Sequence, residues 1–389
     1  MAEDYDHRRD EFPLGRMLDD LRVLVEAESP SEQMGESSPS VDVLDAIGQR
    51  LLGVSAERGS ADGSPILRWS VGDGGPGVLL IGHLDTVWPT GTIEKRPFEV
   101  RDGMAYGPGV FDMKAGLVIG LWALHALGGR CNATLLVNAD EELGSPKSTL
   151  AVKEAAAEAT AALVLEPSHH GRLKTRRWGR TLYRFSIRGR SAHAGLAASE
   201  GANALSEMAR IVRYIETLAS EDCTVVPTLG SAGVAPNVVP DRAALTVDVR
   251  YRDGAAHSRI DRLIREVGSS AVGIGVTLML DHVSRPLDHE ASRELFREAQ
   301  AVAKDVGLAE LAEAEVAGGS DGNTCASVGC PTLDGLGAVG DGAHAEHEYV
   351  DIDSLVDRAT LVTGMIERLA RHPVARPGVT HPTVEYEEA

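Results

Sequence analysis

The chain has few of the features that mark secreted, membrane-embedded or nucleic-acid-binding proteins. It carries only 4 cysteines in 389 residues, at the irregular positions Cys131, Cys223, Cys325 and Cys330, so we expect reduced thiols without a disulfide or metal role. Lys and Arg number 38 against 58 Asp and Glu, which gives a formal net charge of −20. That charge argues against nucleic acid or an anionic membrane as a partner, because both require a basic face.

Hydrophobic targeting segments are also lacking. The segment 1–18 mixes acidic residues and arginines without the apolar centre of a signal peptide, and we expect no stretch that approaches a membrane span. A cytoplasmic protein is the simplest expectation.

The apolar residues that are present predict an α/β domain. The length favours two domains, because a single core rarely grows to this size. Continuous apolar runs of about four residues are typical of buried strands, and three of them dominate the first half, at 78–81, 134–137 and 162–165. Helical segments are predicted at 11–27, 114–127, 148–161, 291–306 and 353–371. The alternation of strand and helix indicates βαβ units, whose ligands gather at the carboxyl ends of the strands.

The pattern changes near Trp178. An alternating strand pattern at 181–188 is followed by helical spacing at 200–218, alternation at 245–249, a helix at 257–267 and a strand at 276–280. The order β-α-β-β-α-β predicts an inserted ferredoxin-like α+β domain on an antiparallel sheet. We therefore expect a discontinuous α/β domain of residues 1–178 and 289–389, with 179–288 as the insert. Residues 373–389 are acidic and interrupted by proline, so we expect a frayed or disordered tail.

Histidines and acids follow the predicted strands. Two imidazoles, three ligand carboxylates and a spare carboxylate are what two divalent ions and a general base require. The candidate set is His83, Asp85, Asp112, Glu141, Glu142, Glu166 and His344.

Taken singly, these residues allow simpler interpretations. His83 and Asp85 point to the same face of a strand, so Asp85 is better placed to orient the imidazole than to bind metal, although His83 could be a structural histidine. Asp112 could be only a helix N-cap. Glu141 and Glu142 are consecutive and must point in different directions, so one can bind metal while the other stays free, unless both belong to a solvated loop.

Six segments together resemble the M20 family of zinc metallopeptidases, and within it the glutamate carboxypeptidase, or carboxypeptidase G2-like, branch. The likeness extends over roughly residues 15 to 370 in the same order. The segments are Gly82-His83-Leu84-Asp85-Thr86-Val87, Gly107 to Gly116, Asp140 to Ser145, Glu166-Pro167, Gly189 to Gly195 and Gly318-Gly319-Ser320-Asp321.

The resemblance implies a two-zinc site bridged by Asp112. His83 and Glu166 would complete one zinc site, and Glu142 and His344 the other. A cis peptide bond after Asp112 is implied as well. Cobalt or manganese could occupy the same ligands.

The general base implied by the resemblance is Glu141. Water that bridges two cations loses its proton near neutral pH, and Glu141 would take that proton and pass it to the leaving amine. The closing histidine motif contains both His344 and His347. The family spacing selects His344, four residues before the glutamate that precedes Tyr349, but the second histidine departs from the usual pattern.

The inserted domain would act as a lid and dimerisation domain. His193 resembles the histidine that reaches across a dimer and stabilises the oxyanion of the tetrahedral intermediate. Arg250 would hold the substrate carboxylate, for which a guanidinium fork is suited, although it could also be a solvated charge at a strand end. Substrate contacts are implied for Asn237, Arg250, Arg285 and Gly319, with Lys174 as a further candidate.

These residues predict an enzyme that hydrolyses an amide bond beside a free carboxylate, in a C-terminal acidic residue or an N-acyl amino acid. The substrate would be a short peptide or a small amino-acid derivative, and the enzyme a homodimer. A deacylase of the acetylornithine or succinyl-diaminopimelate type, or an aminoacylase, shares every metal residue. A catalytically silent homologue that binds an amino-acid derivative is the alternative outside enzymes.

Overall fold

A six-stranded mixed sheet lies at the centre of the larger of two folding units in the chain. A computed structural model describes residues 11–268 and 271–376. Unit 1 comprises Met1–Arg176, Leu287–Glu315 and Ser320–Ala389, and unit 2 comprises Arg177–Pro286 and Val316–Gly319. The short segment Val316–Gly319 therefore groups with the inserted domain, although the sequence placed it in the α/β domain. Most of the predicted frayed tail, from residue 377 onward, lies outside the described residues.

The described residues form the following strands and helices. The strands are β1 Glu57–Ala61, β2 Ser64–Val71, β3 Val78–His83, β4 Glu99–Arg101, β5 Met104–Tyr106, β6 Ala133–Asn138, β7 Ala161–Val164, β8 Leu173–Arg177, β9 Gly179–Arg188, β10 Cys223–Ala232, β11 Arg242–Tyr251, β12 Gly275–Ser284, β13 Glu313–Val316, β14 Thr332–Leu333, β15 Gly340–Asp341 and β16 Tyr349–Asp351. The α-helices are α1 Leu14–Glu26, α2 Pro39–Leu52, α3 Thr92–Lys95, α4 Ala115–Leu127, α5 Thr149–Glu158, α6 Ala204–Ile215, α7 Gly254–Arg265, α8 His289–Asp305, α9 Asp321–Ser327 and α10 Asp353–Arg371.

The main sheet of unit 1 has the order β1-β2-β6-β3-β7-β14. The three strands expected from apolar runs are β3, β6 and β7, and they pair in parallel. Every residue of β3 and β7 is buried, because α1, α2, α4, α8 and α10 contribute to the core on one face and α5 and α9 to the core on the other. The α/β expectation is confirmed. The edge strand β1 and its neighbour β2, which pair antiparallel, were not anticipated.

Helix α4 corrects one expectation from the sequence. The 18-residue segment Val110–Leu127 has a mean hydropathy of 1.4, so by length and composition alone it could cross a membrane. However, 83% of the segment is buried. Helix α4 packs against β3 and β6 on one side and against α1, α2 and α10 on the others, which explains why it is apolar all round.

Unit 2 is an antiparallel sheet of order β10-β11-β9-β12. Helices α6 and α7 share one apolar core with the strands. The chain order β9-α6-β10-β11-α7-β12 matches the predicted β-α-β-β-α-β pattern. Helix α6 begins later than the sequence suggested, because the side chain of Asn203 accepts hydrogen bonds from the backbone N–H groups of Leu205 and Ser206 and so caps it. In unit 1, the predicted helix 148–161 ends at Glu158, because Ala161 already begins β7.

Candidate metal centre

The carboxyl ends of β3, β6 and β7 bring the candidate ligands of unit 1 together. His83 is the last residue of β3, Glu166 follows β7, and a short 3₁₀ turn after β6 carries Glu141 and Glu142. Asp112 lies in the turn before α4, and its peptide bond to Met113 is cis, as the resemblance implies.

His83 faces three carboxylates. Its Nε2 atom lies 3.3 Å from Asp112 Oδ1, 3.5 Å from Glu166 Oε1 and 4.0 Å from Glu141 Oε2. Two overlapping groups each offer ligand atoms that all lie within 4.8 Å of one another. One is His83, Asp112 and Glu142, and the other is His83, Glu141 and Glu166. This geometry suits metal ions held by imidazole nitrogen and carboxylate oxygen.

His344 belongs to the same cluster and contacts the Asp112 oxygen that does not face His83. Its Nε2 atom lies 2.9 Å from Glu142 Oε2 and 3.5 Å from Asp112 Oδ2. The Asp112 carboxylate therefore presents one oxygen to each imidazole, which is the arrangement that a bridging ligand needs. The side chain of His347, the alternative left open by the sequence, is exposed.

Two buried atoms of this cluster lack a hydrogen bond. Asp112 Oδ1 and His83 Nε2 face each other, yet neither has a hydrogen-bond partner among the residues that the structure describes. Unsatisfied buried polar atoms typically destabilise a fold by about 1–3 kcal/mol each, so they call for an explanation. A divalent cation between them would satisfy both atoms, so the residues present fit a metal centre.

The electrostatics of the cluster favour positive charge. Burial lowers the pKa of the His83 imidazole, but its contacts with Asp112, Asp85 and Glu166 outweigh burial and raise the pKa well above the usual range. Contacts with Asp112 and Glu142 raise the pKa of His344 to about 10. Gathered carboxylates thus stabilise a cation here, whether a proton on imidazole or a metal ion.

Burial raises the pKa of both consecutive carboxyls, Glu141 and Glu142, but only that of Glu142 has a hydrogen-bonded histidine, His344, to lower it again. Burial raises the pKa of the Glu141 carboxyl well above the usual range, and the nearby charge of Glu166 adds to this. A carboxylate with a raised pKa is a stronger base, which is the property that a general base needs.

Asp85 supports both sides of the cluster. Its buried carboxylate accepts hydrogen bonds from the backbone N–H groups of Glu141 and Glu142, each at 3.2 Å. Its Oδ1 atom lies 3.4 Å from His83 Nδ1, and that nitrogen lies 3.0 Å from the Asp85 carbonyl oxygen. Asp85 thereby orients the imidazole, as its spacing predicts, and also fixes the Glu141–Glu142 turn, which its spacing does not predict.

Two further buried charged residues near the cluster lie in family-like segments, but the sequence assigned them no role. Asp321 accepts hydrogen bonds of 2.6 Å from Ser145 Oγ and Asn138 Nδ2, and burial raises the pKa of its carboxyl to about 6. Lys114 donates to the carbonyl oxygens of Leu24 and Ala27, and burial lowers its pKa to about 7. The only feature of the sequence that could have predicted the burial of Lys114 is its position directly before an apolar helix.

Ser320 has a structural role. The sequence Gly318 to Gly322 satisfies the Gly-x-Ser-x-Gly pattern of serine hydrolases. In the fold, Ser320 Oγ donates to Asp334 Oδ2 at 2.6 Å and accepts from the backbone N–H of Gly322, so it caps α9. Its hydroxyl is committed to these partners.

The predicted substrate contacts lie in unit 2, except Lys174, whose Nζ atom is 3.7 Å from Glu166 Oε2. Arg250 contacts Asp248 at 3.3 Å and donates to the carbonyl oxygen of Ala317 at 3.1 Å. Asn237 and Gly319 are exposed and Arg285 is partly buried.

His193 has a defined orientation within unit 2. Its Nδ1 atom accepts the backbone N–H groups of Gly195 and Leu196 at 3.1 and 3.2 Å. In a neutral imidazole the proton then resides on Nε2. The exposed ring therefore offers an N–H donor, which is the atom that oxyanion stabilisation requires.

Comparisons with known proteins identify the family of the chain. The chain matches the profile described as peptidase family M20/M25/M40 over residues 79–368. It is 32% identical over 332 residues to carboxypeptidase G2 of Pseudomonas sp. (strain RS-16), covering 80% of this chain and 78% of that protein. It is 27% identical over 323 residues to succinyl-diaminopimelate desuccinylase of Thioalkalivibrio sulfidiphilus, covering 77% and 85%. A solved tripeptidase from Staphylococcus aureus matches with a TM-score of 0.74 at 22% identity, covering 92% of this chain and 99% of that one.

Proposed function

The chain belongs to peptidase family M20/M25/M40 and is a metal-dependent amide hydrolase, and from this premise we propose that its substrate is an acyl amino acid or short peptide with a free carboxylate next to the scissile bond. The metal-dependent chemistry is supported by the Asp112 carboxylate, which presents one oxygen to His83 and the other to His344, and the substrate class is supported by the likeness to a carboxypeptidase. Such a shared carboxylate is the centre of a two-metal site.

We propose zinc as the metal and two ions per chain. His83, Asp112 and Glu166 would hold one ion, and Asp112, Glu142 and His344 the other. Zinc suits this donor set of imidazole nitrogens and carboxylate oxygens. Bound there, the two ions would supply Lewis acidity and lower the pKa of a water molecule.

The protein groups divide the remaining work. Glu141 takes the proton of the attacking water and delivers it to the nitrogen of the leaving amine. Asp85 holds the Glu141 backbone and the His83 ring in place. The Nε2–H of His193 stabilises the oxyanion, while Arg250 holds the substrate carboxylate, with Asn237, Arg285 and Gly319 as further contacts.

The name of the 32% identical relative states a carboxypeptidase activity, which favours removal of a C-terminal residue, and the resemblance to the glutamate carboxypeptidase branch implies that this residue is acidic. The name of the 27% identical relative states a desuccinylase activity, so a deacylase of that kind is the second candidate. The two candidates share their metal residues, so the groups that contact the substrate decide between them.

Substrate profiling of the purified, zinc-loaded protein tests the proposal. We expect release of glutamate from acylglutamates or from Glu-terminal peptides, and close to two zinc ions per chain by elemental analysis. Strong activity on acetylornithine or succinyl-diaminopimelate, with none on the glutamate compounds, would favour the deacylase. Fewer than one ion per chain, with no activity restored by zinc or cobalt, would overturn both candidates.

We also propose that unit 2 serves as a lid and forms a homodimer. Large apolar side chains are exposed on the edge strand β10, at Val226 and Leu229, and on α6, at Leu205. If His193 acts across the dimer, mixing His193→Ala chains with Glu141→Gln chains should restore part of the activity. No recovery in verified heterodimers would contradict this arrangement.

A further inference from the structure

A buried carboxylate outside the predicted ligand set connects two of the ligand segments. The side chain of Glu348 is 1% exposed, and each of its oxygens accepts two hydrogen bonds. Oε1 accepts the backbone N–H groups of Phe111 at 2.9 Å and Asp112 at 3.1 Å. Oε2 accepts the backbone N–H of Gly109 at 2.9 Å and the indole N–H of Trp88 at 3.0 Å. We call this set of contacts the Glu348 clamp.

The donors of the clamp make an ionised carboxylate tolerable in the interior. A buried charge is stable only when hydrogen bonds replace the water it has lost, and N–H donors to a carboxylate are among the stronger hydrogen bonds in proteins. The four donors come from a segment more than 230 residues earlier in the chain. The clamp is therefore a long-range contact that the local sequence does not determine.

The clamp lies between two predicted metal ligands. Three of its donors belong to the segment that ends in Asp112, and Glu348 lies four residues after His344. Strand β16 begins at Tyr349, directly after Glu348, and Tyr349 lies opposite Tyr106, the last residue of β5. One side chain thus ties the turn that carries Asp112 to the loop that carries His344.

The loop that carries His344 depends on such contacts more than the other ligand segments do. His344 has a left-handed backbone conformation, with a φ of 62°, and its side chain is half exposed. A backbone turn from Ala345 to Gly342 shapes the loop, and Arg96, stacked over Trp88 at 4.3 Å, donates to the Ala345 carbonyl oxygen at 3.4 Å.

The other ligand pair is anchored by the sheet. His83 belongs to β3, which has parallel partners on both sides, and Glu166 directly follows β7. Their positions follow from strand pairing rather than from the clamp. The Asp112 turn is the part that both metal sites share.

We propose that Glu348 is a positioning residue that sets the separation of Asp112 and His344, and thereby the affinity of the metal site that these two residues form with Glu142. This inference rests on the proposed two-metal function. Partners that orient metal ligands typically contribute about 10- to 100-fold in metal affinity. The effect falls mainly on one site, because His344 belongs to that site alone.

Metal titration of the metal-free protein tests the proposal. Zinc is added to the full chain in competition with a chromophoric chelator, which yields two dissociation constants, and His344→Ala identifies which constant belongs to the site of that residue. In Glu348→Gln the side chain keeps its size. One carboxylate oxygen is replaced by an amide NH₂ group, which cannot accept hydrogen bonds from the N–H groups that it faces. We expect the constant of the His344 site to rise about 10- to 100-fold, with a smaller change in the other.

Glu346→Gln is the matched control. The substitution is the same and lies on the same loop, but the side chain of Glu346 is exposed. It should leave both constants unchanged. Glu348→Asp retains the charge but shortens the reach by one methylene, so an intermediate loss is expected. This variant decides the matter if Glu348→Gln fails to fold.

Three results would overturn the inference. One is a Glu348→Gln protein that titrates like Glu346→Gln. Another is an equal weakening of both constants, since a merely structural role would affect both sites together. If the unaltered chain binds fewer than two ions, the proposed function fails first and the inference with it.

Discussion

Replacing Glu141 by glutamine separates the two roles that its position allows. Its Oε2 atom lies 4.0 Å from His83 Nε2, and it forms a possible metal-binding group with His83 and Glu166. Geometry alone therefore permits Glu141 to be a ligand. The pairing of Glu142 with His344 at 2.9 Å favours Glu142 as the ligand and Glu141 as the base that we propose.

The size of the effect follows from the surroundings of the side chain. The Glu141 backbone is held by Asp85 at 3.2 Å, a contact that the substitution does not touch, and glutamine has the same shape as glutamate. Loss of a general base typically lowers the rate about 10²- to 10⁴-fold, or roughly 3 to 5 kcal/mol of transition-state stabilisation. We expect kcat to fall by that factor, with KM and metal content close to those of the unaltered chain.

The assay measures kcat and KM on an amide substrate together with metal per chain by elemental analysis. Glu154→Gln, on the exposed face of α5, makes the same chemical change away from the cluster and should alter neither. A Glu141→Gln protein that loses metal in parallel with activity would show that Glu141 is a ligand. A kcat within about tenfold of the unaltered value would refute its role as the base.

Two further predictions concern the closing histidine and a buried carboxyl. His344→Ala should lower the metal content by about one ion per chain, because the Nε2 atom of His344 contacts Glu142 and Asp112. His347→Ala, which removes an exposed side chain, should not lower it. Equal losses of metal in the two variants, measured by elemental analysis, would contradict this prediction. Burial raises the pKa of Asp321 to about 6, above an unfolded value of about 3.9, so in the metal-free protein its contribution to stability is complete below about pH 4 and is lost as the pH rises through about 6. Asp321→Asn stays uncharged, so its unfolding free energy in urea should decline less over that interval, by up to roughly 3 kcal/mol; an unchanged pH dependence would argue against the assignment.

The residue pattern of a single segment was sufficient to predict a strand or helix wherever that pattern was strong. The strands β3, β6 and β7 are continuous apolar runs because both faces of the sheet are covered, and α10 was predicted with its observed bounds. The weaker patterns failed. Strand β10, with most of one half exposed, and helix α2, which begins at Pro39 and ends at a left-handed Gly53, were not identified.

The segment Val110–Leu127 shows how one composition can serve two environments. Its hydropathy would suit a lipid interior, and only the packing of α1, α2 and α10 around it identifies it as the core helix of unit 1. Hydropathy reports the preference of a segment for an apolar surrounding, and it does not report what provides that surrounding.

The sequence by itself determined the chemistry of the chain, because metal ligands and a base must be particular residue types and the motifs that carry them are short. It also determined the α/β class and, apart from the range of β10, the elements of unit 2. Only the tertiary structure decided what holds those ligands in place. Glu348 and Asp321 are ordinary acids in the sequence, and only folding buries them against hydrogen-bond donors far away in the chain. A buried carboxylate takes its role from its partners, and those partners are set by long-range packing.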